Sequence, residues 1–195
     1  MKKVLLITAV LVLGVAAAVK AQDTDAAAHK VSITVPSINL VDVENASGEN
    51  ASVLTWTLDA SSWITEAGDF NTTLSNPETF YLQYTSVVNK NKSHKITAEL
   101  TTSDLPSAFE LQLKTAESTN NSKKGKVGKG SGDFQALSKS SATEIVSGIK
   151  TAYTGTAAKD GHALNYQLVI NPNDKDFGDL EADEYNVTVT YTITE

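Results

Sequence analysis

The residues able to do chemistry are few, and their spacing is poor for it. Histidines stand at His29, His94 and His162, far apart and beside turns or polar strand ends. None falls in a His-x-His or His-Glu-x-x-His pattern, so they read as surface residues without a role. Serine and threonine abound, yet no Gly-x-Ser-x-Gly elbow and no helical Ser-x-x-Lys pair accompanies them. Glycines at 125–132 lie among lysines and do not end in the Gly-Lys-Ser/Thr of a phosphate-binding loop. One acidic stretch, Asn171 to Asp179, puts Asp174, Asp176 and Asp179 close together at a turn. Clustered carboxylates are what calcium prefers, and these three are the candidate metal ligands. Their spacing misses the EF-hand register and Lys175 sits inside, so the plainer reading is a solvated turn. No cofactor is implied, and an enzyme is not expected, because nothing places an acid and a base together.

Aromatics offer a second possibility. Trp56, Trp63, Phe80, Tyr81 and Tyr84 suggest a platform for stacking sugars. Trp56 and Phe80 alternate with polar residues as core side chains do, which leaves Trp63 as the ring whose exposure matters.

Composition narrows the classes further. The chain has 195 residues, no cysteine and a formal charge of −7. It has no arginine either, and an acidic chain without bidentate phosphate readers does not fit a nucleic-acid binder. With no thiols, the fold must be held by packing alone. Met1-Lys2-Lys3 followed by apolar Val4 to Val19 and then Val19-Lys20-Ala21 reads as a bacterial secretory signal at residues 1–21. The apolar run is short for a membrane span, which needs about 20 residues, and an uncleaved N-terminal anchor is the alternative. Cleavage would leave 174 residues, take the charge from −7 to −10 and leave no membrane span. Asn-x-Ser/Thr acceptors at Asn45, Asn50, Asn71, Asn91, Asn120 and Asn186 matter only in a eukaryotic source.

The elements that must carry any site are strands. Apolar residues alternate at Val31, Ile33 and Val35, at Leu54, Trp56 and Leu58, and at Phe80, Leu82 and Tyr84. The same device recurs at Ile96 to Leu100, Phe109 to Leu113, and Leu164 to Ile170. It closes the chain with Tyr185, Val187, Val189, Tyr191 and Ile193 opposite a row of threonines. Period two predicts half-buried antiparallel strands. About eight of them in residues 22–195 predict one all-β domain, an immunoglobulin-like sandwich, with a closed barrel as the alternative. Two segments differ. Residues 118–132 are polar, basic and Gly-rich, and read as an exposed mobile loop or solubilising hairpin tip whose lysines could attract an anionic polymer. Ser141-Ala142-Thr143-Glu144 has capping-box spacing, with Ile145, Val146, Ile149 and Tyr153 following at helical spacing. This predicts a short helix over 141–153, with a strand at 143–148 as the alternative.

The terminal strand has ten uncharged residues, Tyr185 to Thr194, of high β-propensity. Left at an open edge it would template pairing with another chain. Ala163-Leu164-Asn165-Tyr166-Gln167-Leu168 and Tyr185-Asn186-Val187-Thr188-Val189-Thr190-Tyr191 resemble the C-terminal part of spore coat protein U-type and chaperone–usher pilin-like subunits. That resemblance implies a secreted or cell-surface subunit of a fimbria or pilus, structural or adhesive. Its partners would be copies of itself or related subunits, with a periplasmic chaperone before assembly. It also implies assembly by strand addition, for which residues 26–35, carrying Val31, Ile33 and Val35, are the candidate donor. The same segment could instead be the first strand of its own sandwich. The alternative function is a monomeric secreted module that binds glycan or calcium.

Overall fold

A computed structural model describes residues 30–51, 60–64, 66–119 and 122–195. The signal-like residues 1–21, the first part of the 26–35 segment and the Leu54, Trp56, Leu58 row lie outside the described residues. The compact unit spans Val35–Glu195.

The alternating rows from Ile38 onward that fall among the described residues form strands. The strands are β1 (Ile38–Glu44), β2 (Thr73–Val87), β3 (His94–Ser103), β4 (Phe109–Thr115), β5 (Lys124–Gly125) and β6 (Lys129–Gly130). They continue with β7 (Phe134–Ala136), β8 (Thr143–Ile149), β9 (Ala152–Tyr153), β10 (His162–Ile170) and β11 (Val187–Thr194). One helical turn, α1 (Ala60–Trp63), and a 3-10 turn at Phe177–Asp179 complete the described elements.

The long β2 organises the larger, seven-stranded sheet. On one side it pairs with β10 through Thr73–Leu82 and with β9 through Thr85 and Ser86, so β9 and β10 lie end to end along it. On the other side β1 covers only Tyr81–Val87. Beyond β10 come β4 and then β7, and β5 flanks β9. The smaller sheet runs β11-β3-β8-β6. All pairings are antiparallel and neither sheet closes into a barrel, so the fold is an all-β sandwich.

The core lies between the sheets. Phe80, Leu82, Tyr84, Leu113, Leu164 and Tyr166 of the larger sheet meet Ile96, Ala98, Leu100, Ile145, Val146 and Ile149 of the smaller. Burial alternates without a break along β10, as a strand with one face inward requires. A second cluster forms where Leu74, Leu168 and Ile170 pack with Trp63, Phe109 and Phe177.

The helix expected over 141–153 is not formed. That stretch holds β8, paired with β3 in a register that shifts twice, and the short β9. One shift doubles up at Ile145, so Ile145 and Val146 are both buried. The other falls at Ser147 and Gly148, where Gly148 takes a φ of +67°, and it returns Ile149 to the core. Two bulges thus turn a period of two into the spacing of a helix face. The strand alternative at 143–148 is the correct one.

Candidate assembly surface

Two segments singled out for assembly are both exposed along at least one edge. Residues 30–37 carry no strand pairing, and Val31, Ile33 and Val35 are 68%, 83% and 70% exposed. They do not form a strand of their own sandwich among the described residues. The Ser37 hydroxyl donates to the Val87 carbonyl at 2.9 Å, and strand pairing begins at Ile38.

At the other terminus, β11 is an edge strand. It pairs with β3 on one side, and its second side has no strand partner among the described residues. Val187, Val189, Tyr191 and Ile193 point to the core yet stay half-buried, because they line the rim of the sandwich. Their outward neighbours form a threonine ladder, with Thr102 donating to Thr188 at 2.7 Å and Thr101 facing Thr190 at 3.0 Å. Tyr191 also bonds Tyr166 hydroxyl to hydroxyl across the two sheets, and burial raises both phenol pKa values. Tyr185, expected within this strand, lies before it. Its ring packs edge-on against Phe109 at 6.0 Å and its hydroxyl donates to the Glu181 carbonyl at 2.9 Å. The strand starts at Val187 because Asn186 instead turns its backbone onto Asp104.

β1 runs beside β11 at this rim, with Val41 and Val43 also half-buried and Leu40 64% exposed. Below β1, the side of Thr73–Phe80 turned away from β10 has no strand partner among the described residues. Unpaired donors and acceptors along such edges are ready to bond an incoming strand.

The acidic turn is less suited to a cation. Asp174 and Asp176 share the Ser107 hydroxyl at 2.8 Å each, and Lys175 grips Asp176 at 2.6 Å. The hydrogen bond from Lys175, with that from Ser107, holds the Asp176 carboxyl below its usual range. Asp179 belongs to the 3-10 turn, and no group of three possible ligands converges among the described residues. Trp63 is half-buried, its ring engaged by Phe70 at 6.0 Å and Phe109 at 6.1 Å.

Two histidines expected at the surface are core residues. His94 is 2% exposed and bonds Ser86 through Nδ1 at 2.8 Å. His162 is fully buried and stacks on Tyr84 at 5.7 Å between ring centres. Its Nδ1 donates to the Ala116 carbonyl at 2.8 Å, while Nε2 faces the Tyr84 hydroxyl at 3.0 Å and the Val127 carbonyl at 3.2 Å. Burial lowers its pKa, and the two carbonyls work against that shift without reversing it. Both histidines could have been found by phase. His94 continues Ile96, Ala98 and Leu100, and His162 continues Leu164, Tyr166 and Leu168.

The lysine-rich loop also differs from a loose hairpin tip. β5 joins the larger sheet and β6 the smaller, with Val127 buried between them. Gly125, at φ +75°, lies so close to β9 that a Cβ there would sit 2.1 Å from the Thr151 carbonyl. The segment crosses from the edge of the larger sheet to the edge of the smaller, with Lys124, Lys126 and Lys129 exposed.

Comparison with known proteins finds no family model, no curated relative and no solved structure that matches the chain.

Proposed function

We propose that this chain is a secreted structural or adhesive subunit of a bacterial cell surface, assembled by β-strand addition in the manner of a fimbria or pilus. The observation that carries this reading is the exposed alternating row Val31, Ile33 and Val35 ahead of β1, in a chain whose sheets also have edges, at β11 and beside Thr73–Phe80, without a strand partner among the described residues. An apolar row with period two is costly to expose over a whole segment, and pairing with a neighbour's edge satisfies both its side chains and its backbone. The half-buried row Val187, Val189, Tyr191 and Ile193 offers a partly filled core that such a strand would complete. The partner is a second copy or a related subunit, with a periplasmic chaperone covering the edge beforehand.

The test is an SDS gel, unboiled against boiled, of material sheared from the native cells and probed for this chain. A ladder that collapses to one band only on boiling supports subunits locked by inserted strands. A single monomer band in both lanes sinks the reading.

A further inference from the structure

We infer that the two ends of the sandwich are complementary docking faces, the lysine-bearing end of one molecule receiving the acidic end of a second copy. This contact is separate from strand insertion and does not depend on it.

The lysine end is built from several elements. The Lys150 amide donates to the Lys126 carbonyl at 2.9 Å, and the Lys150 ammonium donates to the Lys92 carbonyl at 2.5 Å. Lys124 stands across from Tyr153 in the β5–β9 pair, and Tyr153 is 46% exposed. Lys92 is answered by Glu195 at 3.3 Å. Lys124, Lys126 and Lys129 form no salt bridge among the described residues, and the packing of β5 and β6 fixes the backbone that presents them.

The acidic end lies beyond Ile170 and before Val187. Only Asp176 of its acids has a lysine, Lys175, within salt-bridge distance among the described residues. Asp179, Glu181, Asp183 and Glu184 are exposed and make no salt bridge among them. Phe70, 43% exposed, packs on Phe177 beside these carboxylates.

Geometry keeps the two signs apart. β2 runs the length of the sandwich, its Val87 end next to the lysines and its Thr73 end next to Val169. At about 3.3 Å per residue the ends are roughly 45 Å apart. Charges are screened over about 8 Å at physiological salt, so the acidic end cannot neutralise the lysines of its own molecule. A second copy, although its net charge is also −7, presents Asp179, Glu181, Asp183 and Glu184 as one exposed cluster opposite in sign to the exposed lysines. Because the two faces differ, the contact is head-to-tail and extends into an open chain of molecules.

Sedimentation velocity on the chain lacking residues 1–21 tests this at low and high NaCl. Association is expected at about 20 mM and should weaken tenfold or more by about 500 mM, since exposed charges are then screened. A K124E/K126E variant and an E181K/D183K variant, each checked by circular dichroism for an intact fold, should each remain monomeric. An equimolar mixture should associate again, because each reversed end now meets its opposite. A wild type that stays monomeric at low salt, association that survives either reversal, or a mixture that fails to associate would overturn the proposal. So would a monomer that binds heparin but not itself. A boil-sensitive ladder without reversible, salt-sensitive association would leave strand addition standing and remove this contact alone.

Discussion

Both ring nitrogens of His162 face carbonyl oxygens, those of Ala116 and Val127, deep under the lysine-bearing segment. The groups around it are the Tyr84 ring, Glu117 and Lys123, and burial outweighs them all in lowering its pKa. In the unfolded chain it titrates at its ordinary 6.5. Below that pH the unfolded state therefore binds more protons than the folded one. Stability is full above about 6.5 and falls as pH drops from there toward the lower folded value. Urea unfolding at a series of pH values from about one unit above 6.5 to about one and a half units below it should show this loss, and His162→Gln should flatten it. Equal slopes in both proteins would rule His162 out as the cause. Gly125 makes a second test. Its positive φ and the nearby Thr151 carbonyl leave no room for a side chain, so Gly125→Ala should cost on the order of 1–3 kcal/mol in the same assay.

Among the elements, β10 and the segment before β1 make opposite predictions. Leu164 is fully buried in the middle of the larger sheet, so Leu164→Ala should destabilise the fold by about 2–5 kcal/mol in thermal or urea unfolding. Ile33 is 83% exposed, so Ile33→Asp should shift monomer stability by no more than about 0.5 kcal/mol. That same change should abolish the boil-sensitive ladder if residues 26–35 are the inserted strand. A ladder that survives it would assign insertion to another segment. The contrast between β8 and β10 shows where sequence pattern is legible. β10 alternates strictly and is read correctly as a strand. β8 carries two bulges that displace Val146 and Ile149 into phase with a helix. Bulges arise from pairing with β3, a partner some fifty residues away, so no local window contains their cause. His94 and His162 are buried against expectation for a different reason. Residue type outweighed phase, although His94 and His162 both begin core-facing rows.

At the scale of the molecule, an exposed lysine cluster lies toward the Val87 end of β2 and an exposed carboxylate cluster toward its Thr73 end. The two proposed contacts with other copies use different surfaces, one the strands and one the ends. They are separable by experiment: SDS resistance reports inserted strands, and salt sensitivity reports the ends.

By itself, the sequence determined the all-β class, the antiparallel pairing preference and the faces of most strands. Those follow from the two-residue period of side chains, which is local. It also marked the N-terminal and C-terminal alternating rows and the lysine-rich and acid-rich segments. Tertiary structure alone decided that Val31, Ile33 and Val35 pair with no strand of their own sandwich among the described residues, that β11 is an edge, and that Lys92, Lys126 and Lys150 converge. It also buried His162 beneath Val127. Each of these depends on which distant segments become neighbours, and strand order is set by long-range packing that a period of two does not encode.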